Sequence, residues 1–189
     1  MAVRKASSYS KKTLRPNTRN SRTKRKAYIK VIPFSKIVKF TMGSEGDFRA
    51  GKHPFVLKLI MTEAVQIRDI ALEASRMLLH KILEETVPGQ YFAVMKVQPH
   101  HFMRENKVAT GAGADRMKCG MTQSFGIVIG RAAIVKPNQP IILVSCANEK
   151  AARVARDALA TIKSKVPGKT RISFEKMTNP FVSNLPVTN

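Results

Sequence analysis

The chain has no tryptophan, only two cysteines and few acidic residues. Two cysteines are too few for a disulfide framework, and Cys119 and Cys146 are not spaced as a zinc site, so we expect two free thiols. No apolar run is long enough to span a bilayer, and no signal-peptide pattern follows Met1. We therefore expect a cytoplasmic protein with no metal or other cofactor.

Positive charge is what the sequence has in excess. Thirty-four Lys and Arg stand against twelve Asp and Glu, which gives a net charge of +22 and a pI near 10.6. Charge of this size predicts a polyanionic partner. Because aromatic residues are few, we expect recognition of a folded RNA through its shape and phosphates, and not mainly through stacking on single strands.

The charge is concentrated near the N-terminus. Residues 1–44 contain thirteen Lys or Arg and no acid before Glu45. With little apolar material before Tyr28, a basic arm of residues 1–34 is predicted to be unstructured alone and to order on RNA, where counterion release offsets the cost of ordering. The arm residues expected to bind RNA are Arg4, Lys5, Lys11, Lys12, Arg15, Arg19, Arg22, Lys24, Arg25 and Lys26.

Hydrophobic periodicity predicts two helices among six strands. Strands are predicted near residues 37–41, 53–61, 90–98, 127–135, 141–146 and 171–175. The first helix is predicted to begin after the N-cap Thr62 and to end at Pro88, and the second to begin after the N-cap Asn148 and to end at Pro167. The strands at 127–135 and 141–146 are predicted to form a hairpin. This order favours an α+β fold, a two-layer sandwich with a mostly antiparallel sheet and two amphipathic helices on one face. The predicted domain spans residues 35–176, followed by a tail of residues 177–189.

A long Gly-rich loop, residues 99–126, is predicted to project from this domain. Its glycines are Gly111, Gly113, Gly120 and Gly126, and its basic residues are Arg104, Lys107, Arg116 and Lys118. Glycines permit close approach to another surface, and the basic residues suit a phosphate-rich one. A loop that is merely flexible is the alternative.

The loop contains Arg104-Glu-Asn-Lys107, Ala109-Thr-Gly-Ala-Gly-Ala-Asp-Arg116, Gly120-Met121 and Phe125-Gly126, and the helix contains Val65-Gln-Ile-Arg68 and Ala71-Leu-Glu-Ala-Ser-Arg76. In these motifs the chain resembles the universal large-subunit ribosomal protein family, called L-sixteen in bacteria and L-ten-e in archaea and eukaryotes. The archaeal form is the most similar. The resemblance covers about residues 24–175 and is strongest over 63–76 and 101–126.

This resemblance implies a structural constituent of the large ribosomal subunit, located in the cytoplasm, that is neither an enzyme nor a homo-oligomer. It implies binding to rRNA between the central protuberance and the stalk base, and contact with neighbouring large-subunit ribosomal proteins. The loop would help to position A-site and P-site tRNA near the peptidyl transferase centre. The loop residues expected to bind RNA are the matched positions and Lys118: Arg104, Asn106, Lys107, Thr110, Gly111, Gly113, Asp115, Arg116, Lys118, Gly120, Met121, Phe125 and Gly126.

The sequence departs from the family pattern at five positions. Val31 and Phe34 stand where glycines are usual, and Thr122, Ile127 and Ile134 stand where basic residues are usual. The departures weaken the prediction of individual phosphate contacts on the far side of the loop more than they weaken the predicted role of the loop as a whole.

Two other functions remain open from the sequence. A non-ribosomal protein that binds or processes structured RNA could use His100 or His101 as acid or base, although no catalytic motif accompanies them. A DNA-compacting protein would share the charge but would bind duplex DNA as tightly as rRNA at matched salt.

Overall fold

The computed structural model describes residues 5–10, 29, 31–105 and 127–177. Its elements in chain order are β1 (Thr41–Gly43), α1 (Glu45–Arg49), β2 (Phe55–Met61), β3 (Val65–Arg68), α2 (Asp69–Thr86), β4 (Tyr91–Met95), β5 (His101–Glu105), β6 (Ile127–Val135), β7 (Pro140–Cys146), α3 (Glu149–Ile162) and β8 (Thr170–Lys176). The predicted α+β class is confirmed.

The strands form two antiparallel sheets where one was predicted. The larger sheet has the order β1-β4-β7-β2-β8, and the smaller has the order β3-β6-β5. The predicted hairpin of residues 127–135 and 141–146 is wrong, because β6 and β7 belong to different sheets. The turn between them is held by Met61, whose N–H donates to the Gln139 carbonyl (3.1 Å) and whose carbonyl accepts from the N–H of Asn138 (2.7 Å).

The core lies between one face of the larger sheet and the two long helices. Leu57, Val144 and Ala93 lie side by side on β2, β7 and β4 and belong to this core. The buried positions of both helices join the same cluster: Ala71, Leu72, Leu79, Leu83, Ala151, Ala152, Ala155, Ala158, Leu159 and Ile162. The apolar stripes of both helices therefore share one core with this sheet, as the amphipathic pattern predicts.

The short helix α1 covers part of the opposite sheet face. The Phe48 ring stacks on Phe92 with centroids 4.9 Å apart. Behind it, His53 Nδ1 lies 3.3 Å from the Ser145 hydroxyl oxygen, and burial lowers the pKa of His53. The buried imidazole is therefore held neutral and part of the packing.

The predicted N-cap of the first long helix is wrong. Helix α2 begins at Asp69, and the preceding Val65–Arg68 is strand β3, paired with β6. Val65 and Ile67 alternate with polar residues, which suits a half-buried strand. Because Ile67 lies three residues before Ile70, its spacing also fits a helix, and the predicted helix therefore wrongly included this strand.

The predicted loop of residues 99–126 also begins later than expected. His101–Glu105 is strand β5, which pairs with β6.

Within the described part of the chain, no helix has the length and apolar character needed to cross a membrane.

Candidate nucleic-acid interface

The small sheet holds both ends of the loop together. Glu105 pairs with Ile127 and Arg104 with Val128, across a register shift that falls between Met103 and Arg104. The last residue described before residues 106–126 and the first described after them therefore lie opposite each other on neighbouring strands. A β-bulge at such a position bends and twists the strand locally and so re-aims the side chains beyond it.

The other edge of this sheet, β3, is covered by the start of the chain. The Gln66 N–H donates to the Ser10 carbonyl (3.0 Å), its side-chain amide donates to the Tyr9 carbonyl (3.1 Å), and Arg68 Nη2 donates to the Lys5 carbonyl (2.7 Å). These contacts tie residues 5–10 to the body, whereas the whole arm was expected to lack structure in isolation. They also protect an exposed strand edge from pairing with another chain.

Arg131 on the central strand β6 adds positive charge between these two edges. Its Nε donates to the Pro33 carbonyl (2.7 Å), and its guanidinium lies 5.4 Å from the centroid of the Phe102 ring. Both partners are neutral, so these contacts orient the cation without cancelling its charge. An oriented guanidinium of this kind suits phosphate, which it binds through two parallel N–H groups.

The adjacent histidines occupy different environments. His101 is buried at 6% exposure, and its pKa is lowered first by burial and then by the nearby positive charge of Arg104. His100 is exposed. The buried, neutral imidazole of His101 is poorly placed to exchange protons with a bound RNA, and in the described ranges no three His, Cys, Asp or Glu side chains are grouped to hold a metal ion.

Cys146 lies in the core, where burial raises the pKa of its thiol to about 12. A thiol so rarely ionised is a packing residue and not a nucleophile. The other cysteine, Cys119, lies outside the described residues.

One predicted residue from the arm and one from the loop lie at opposite edges of the small sheet. Lys5 and Arg104 both lie at the small sheet, at its β3 edge and in β5. The other predicted loop residues lie outside the described residues: Asn106, Lys107, Thr110, Gly111, Gly113, Asp115, Arg116, Lys118, Gly120, Met121, Phe125 and Gly126. So do the other predicted arm residues: Arg4, Lys11, Lys12, Arg15, Arg19, Arg22, Lys24, Arg25 and Lys26.

Sequence reasoning missed two arginines of this surface. Arg68 was included in the first predicted helix, and Arg131 in the predicted strand of residues 127–135, without a binding role. The alternation of Val65-Gln-Ile-Arg68 was the available signal for Arg68, because it fits a strand as well as a helix.

These features define a strongly basic α+β protein in which the N-terminal segment and the base of a loop share one small sheet. The family model described as Ribosomal protein L16p/L10e matches residues 16–173. The chain belongs to this family of ribosomal proteins.

Archaeal large-subunit proteins are among its relatives. Large ribosomal subunit protein uL16 of Staphylothermus marinus is 43% identical over 157 residues, which cover 81% of this chain and 86% of the relative. The proteins of the same name from Hyperthermus butylicus and Archaeoglobus fulgidus are 42% and 39% identical, over 78% and 86% of this chain and 80% and 87% of their own lengths. The resemblance to the archaeal form of the family is confirmed, and the family is one of structural proteins, with no catalytic activity indicated.

Proposed function

We propose that this protein is a structural constituent of the large ribosomal subunit that binds rRNA between the central protuberance and the stalk base. Its loop helps to position A-site and P-site tRNA near the peptidyl transferase centre during translation. The observation that carries this proposal is the family match over residues 16–173. The protein's other partners are neighbouring large-subunit proteins, and it acts as a single copy.

The geometry of the small sheet supports this function. Paired strands fix the base of the loop, so residues 106–126 start and end on a rigid platform. The arm begins at the other edge of the same platform, beside Arg68. A net charge of +22 favours a phosphate-rich surrounding, and counterion release supplies the binding free energy.

The role of the loop is positional in this proposal. The arginines and lysines act through charge and hydrogen bonding to phosphate, and the protein contributes no reacting group to peptide-bond formation. This agrees with a His101 that is buried and held neutral.

The test replaces Arg104, Lys107 and Arg116 by Ala in subunits reconstituted with the variant. We expect the variant to enter the subunit but to weaken A-site and P-site tRNA binding and slow peptide-bond formation. If three phosphate contacts are lost, the log–log salt dependence of tRNA binding becomes shallower by about two units. Normal tRNA binding and normal peptide-bond formation would refute the role of the loop.

A matched control removes three positive charges that already pair within the chain. Arg49 pairs with Glu45, Lys52 with Asp47 (2.7 Å) and Lys58 with Glu175 (2.6 Å). Replacing Arg49, Lys52 and Lys58 by Ala should leave tRNA binding unchanged.

Sedimentation tests the ribosomal assignment itself. A tagged wild-type copy should sediment with the large subunit after a moderate salt wash, and its absence there would refute the assignment.

A further inference from the structure

An extended segment, residues 31–40, crosses helix α2 and presents apolar side chains to solvent. The Phe34 side chain is 90% exposed, Val31 79% and Val38 74%. A phenylalanine ring left this open gains nothing from the fold of its own chain. Exposed apolar groups that lie together commonly mark a contact with another molecule.

The backbone of this segment is fixed by two carboxylates of α2. The Lys36 N–H donates to Asp69 Oδ2 (3.1 Å), and the Val38 N–H donates to Glu73 Oε2 (3.3 Å). Asp69 and Glu73 are four residues apart on α2 and so lie on the same side of the helix. Their separation matches that of alternate amides in an extended chain, and Ile37 between them is buried.

A second contact fixes the segment on the other side of Phe34. The Pro33 carbonyl accepts from Arg131 Nε at 2.7 Å. The residue with the most exposed ring thus lies between two points that are hydrogen-bonded to different elements of the body. Because the backbone on both sides of Phe34 is already fixed, binding of a partner to this ring costs less conformational entropy than binding to a ring on a free chain.

The charge around the ring favours an anionic partner. Lys36 and Lys39 are exposed, and residues 31–44 contain no Asp or Glu. The carboxylates that hold the segment are already engaged: Asp69 accepts from the Lys36 N–H, and Glu73 accepts both from the Val38 N–H and from Arg76 Nε (2.8 Å). A protein surface docking here would need acidic groups to match the lysines, whereas RNA brings an aromatic face and a phosphate in every nucleotide.

We propose that Phe34 is a stacking platform for one unpaired rRNA base, with Lys36 and Lys39 on the adjoining phosphates. The proposal rests on the proposed function, because it assigns one rRNA contact to the same protein. A single aromatic side chain stacked on a base suits a splayed nucleotide in folded RNA. It is an addition to recognition by shape and charge, not its main mode.

The absence of tryptophan gives a direct probe of this contact. In a Phe34→Trp variant the only indole fluorescence comes from the proposed platform. We expect this fluorescence to be quenched by archaeal large-subunit rRNA, because a stacked base quenches an indole. Phe174→Trp is the matched control, since Phe174 on β8 is also exposed, at 55%. Its fluorescence should not be quenched.

Affinity provides a second readout. Phe34→Ala should weaken binding to the same rRNA by about 5- to 150-fold, the range for loss of one base–aromatic stack. A Phe34→Tyr variant, which keeps an aromatic ring, should bind with the wild-type affinity, whereas Phe34→Leu should bind as weakly as Phe34→Ala. Because stacking releases no counterion, Phe34→Ala should leave the salt dependence unchanged, whereas replacing Lys36 and Lys39 by Ala should make it shallower. Unchanged urea unfolding would show that the exposed site tolerates each change.

The outcomes separate the two proposals. If wild type binds rRNA but Phe34→Ala binds equally well and the Phe34→Trp fluorescence stays unquenched, the stacking role is overturned and the ribosomal function stands. If the fluorescence changes only when other large-subunit proteins are added, the segment contacts protein and the proposal is overturned. If wild type shows no binding to rRNA, both proposals fail.

Discussion

Gly43 ends the edge strand β1 in a conformation that other residues adopt at a cost. Its φ is +85°, and a Cβ atom placed there would lie 2.2 Å from the carbonyl oxygen of Tyr91. The Ser44 N–H donates to that same oxygen at 2.9 Å, so the close approach belongs to the pairing of β1 with β4. Both the backbone angle and the space therefore require glycine.

We predict that Gly43→Ala destabilises the protein by about 2 kcal/mol or more, from strain at positive φ and from the clash with Tyr91. Gly46→Ala is the control, since Gly46 lies in α1 and nothing lies within 4 Å of its added Cβ. That change should be neutral or stabilising by less than about 1 kcal/mol. Urea unfolding of the two variants measures the difference, and equal midpoints would contradict the assignment.

Residue chemistry in the sequence pointed to only part of the candidate interface. Arg104 was identified because it begins a basic, glycine-rich stretch. Arg131 could not be assigned to the interface from sequence, because its position depends on contacts with Pro33 and Phe102 that lie far from it in the chain. A surface formed by three separate segments leaves no local pattern in any one of them.

At the scale of elements, helix α2 is the support for the extended segment. The pKa of Glu73 is lowered, first by its hydrogen bond with Arg76 and also by the Val38 N–H. Because the pKa is lowered in the folded state, the ionised carboxylate stabilises the fold at pH values above the usual glutamate pKa of 4.5. This contribution is lost as the pH falls below that value through the lower pKa of the folded state.

We predict that Glu73→Gln lowers the free energy of unfolding by about 1 kcal/mol or more at pH 7, since a charge-assisted hydrogen bond is lost. The difference from wild type should shrink as the pH falls below 4.5 and wild-type Glu73 becomes protonated. Glu85→Gln on the same helix is the control, because the contact of Glu85 within the described ranges is a long, exposed pair with Lys81 at 3.9 Å. Denaturation at a series of acidic pH values tests this, and a difference from wild type that does not shrink as the pH falls would exclude the mechanism.

Elements with a clear period were predictable, but their partners were not. Strands β2, β4 and β8 and helix α3 lie where alternation or a one-sided apolar stripe placed them. Strand β7 is buried at nearly every position because it lies between β4 and β2. An all-apolar run carries no information about which strand lies beside it, so its short connection to β6 was interpreted as a hairpin.

At the scale of the whole molecule, the distribution of charge determines how the protein binds. Ten of the thirty-four Lys and Arg lie in residues 1–26. All helices and strands of the described structure begin after residue 40. The arm charge is therefore separable from the fold, although residues 5–10 contact β3 through their backbone carbonyls.

We predict that replacing these ten residues by Gln makes the salt dependence of rRNA binding much shallower, by up to about 7 units on a log–log plot. Thermal unfolding should change little, because the substitutions leave the backbone of residues 5–10 in place. The triple variant of Arg49, Lys52 and Lys58 described above, whose charges are internally paired, should keep the wild-type slope. Filter binding across a range of KCl concentrations measures both, and an unchanged slope in the arm variant would exclude the arm from phosphate contact.

The pairing of Glu105 with Ile127 has a consequence for how such a chain evolves. Everything between these two residues is topologically an insertion between adjacent strands, entering and leaving the scaffold at one point. Under the proposed function, substitutions in the insertion can therefore follow changes in a facing RNA at little cost to the folding of the scaffold. The core of the scaffold, in turn, can change its packing without moving the two points at which the insertion starts and ends.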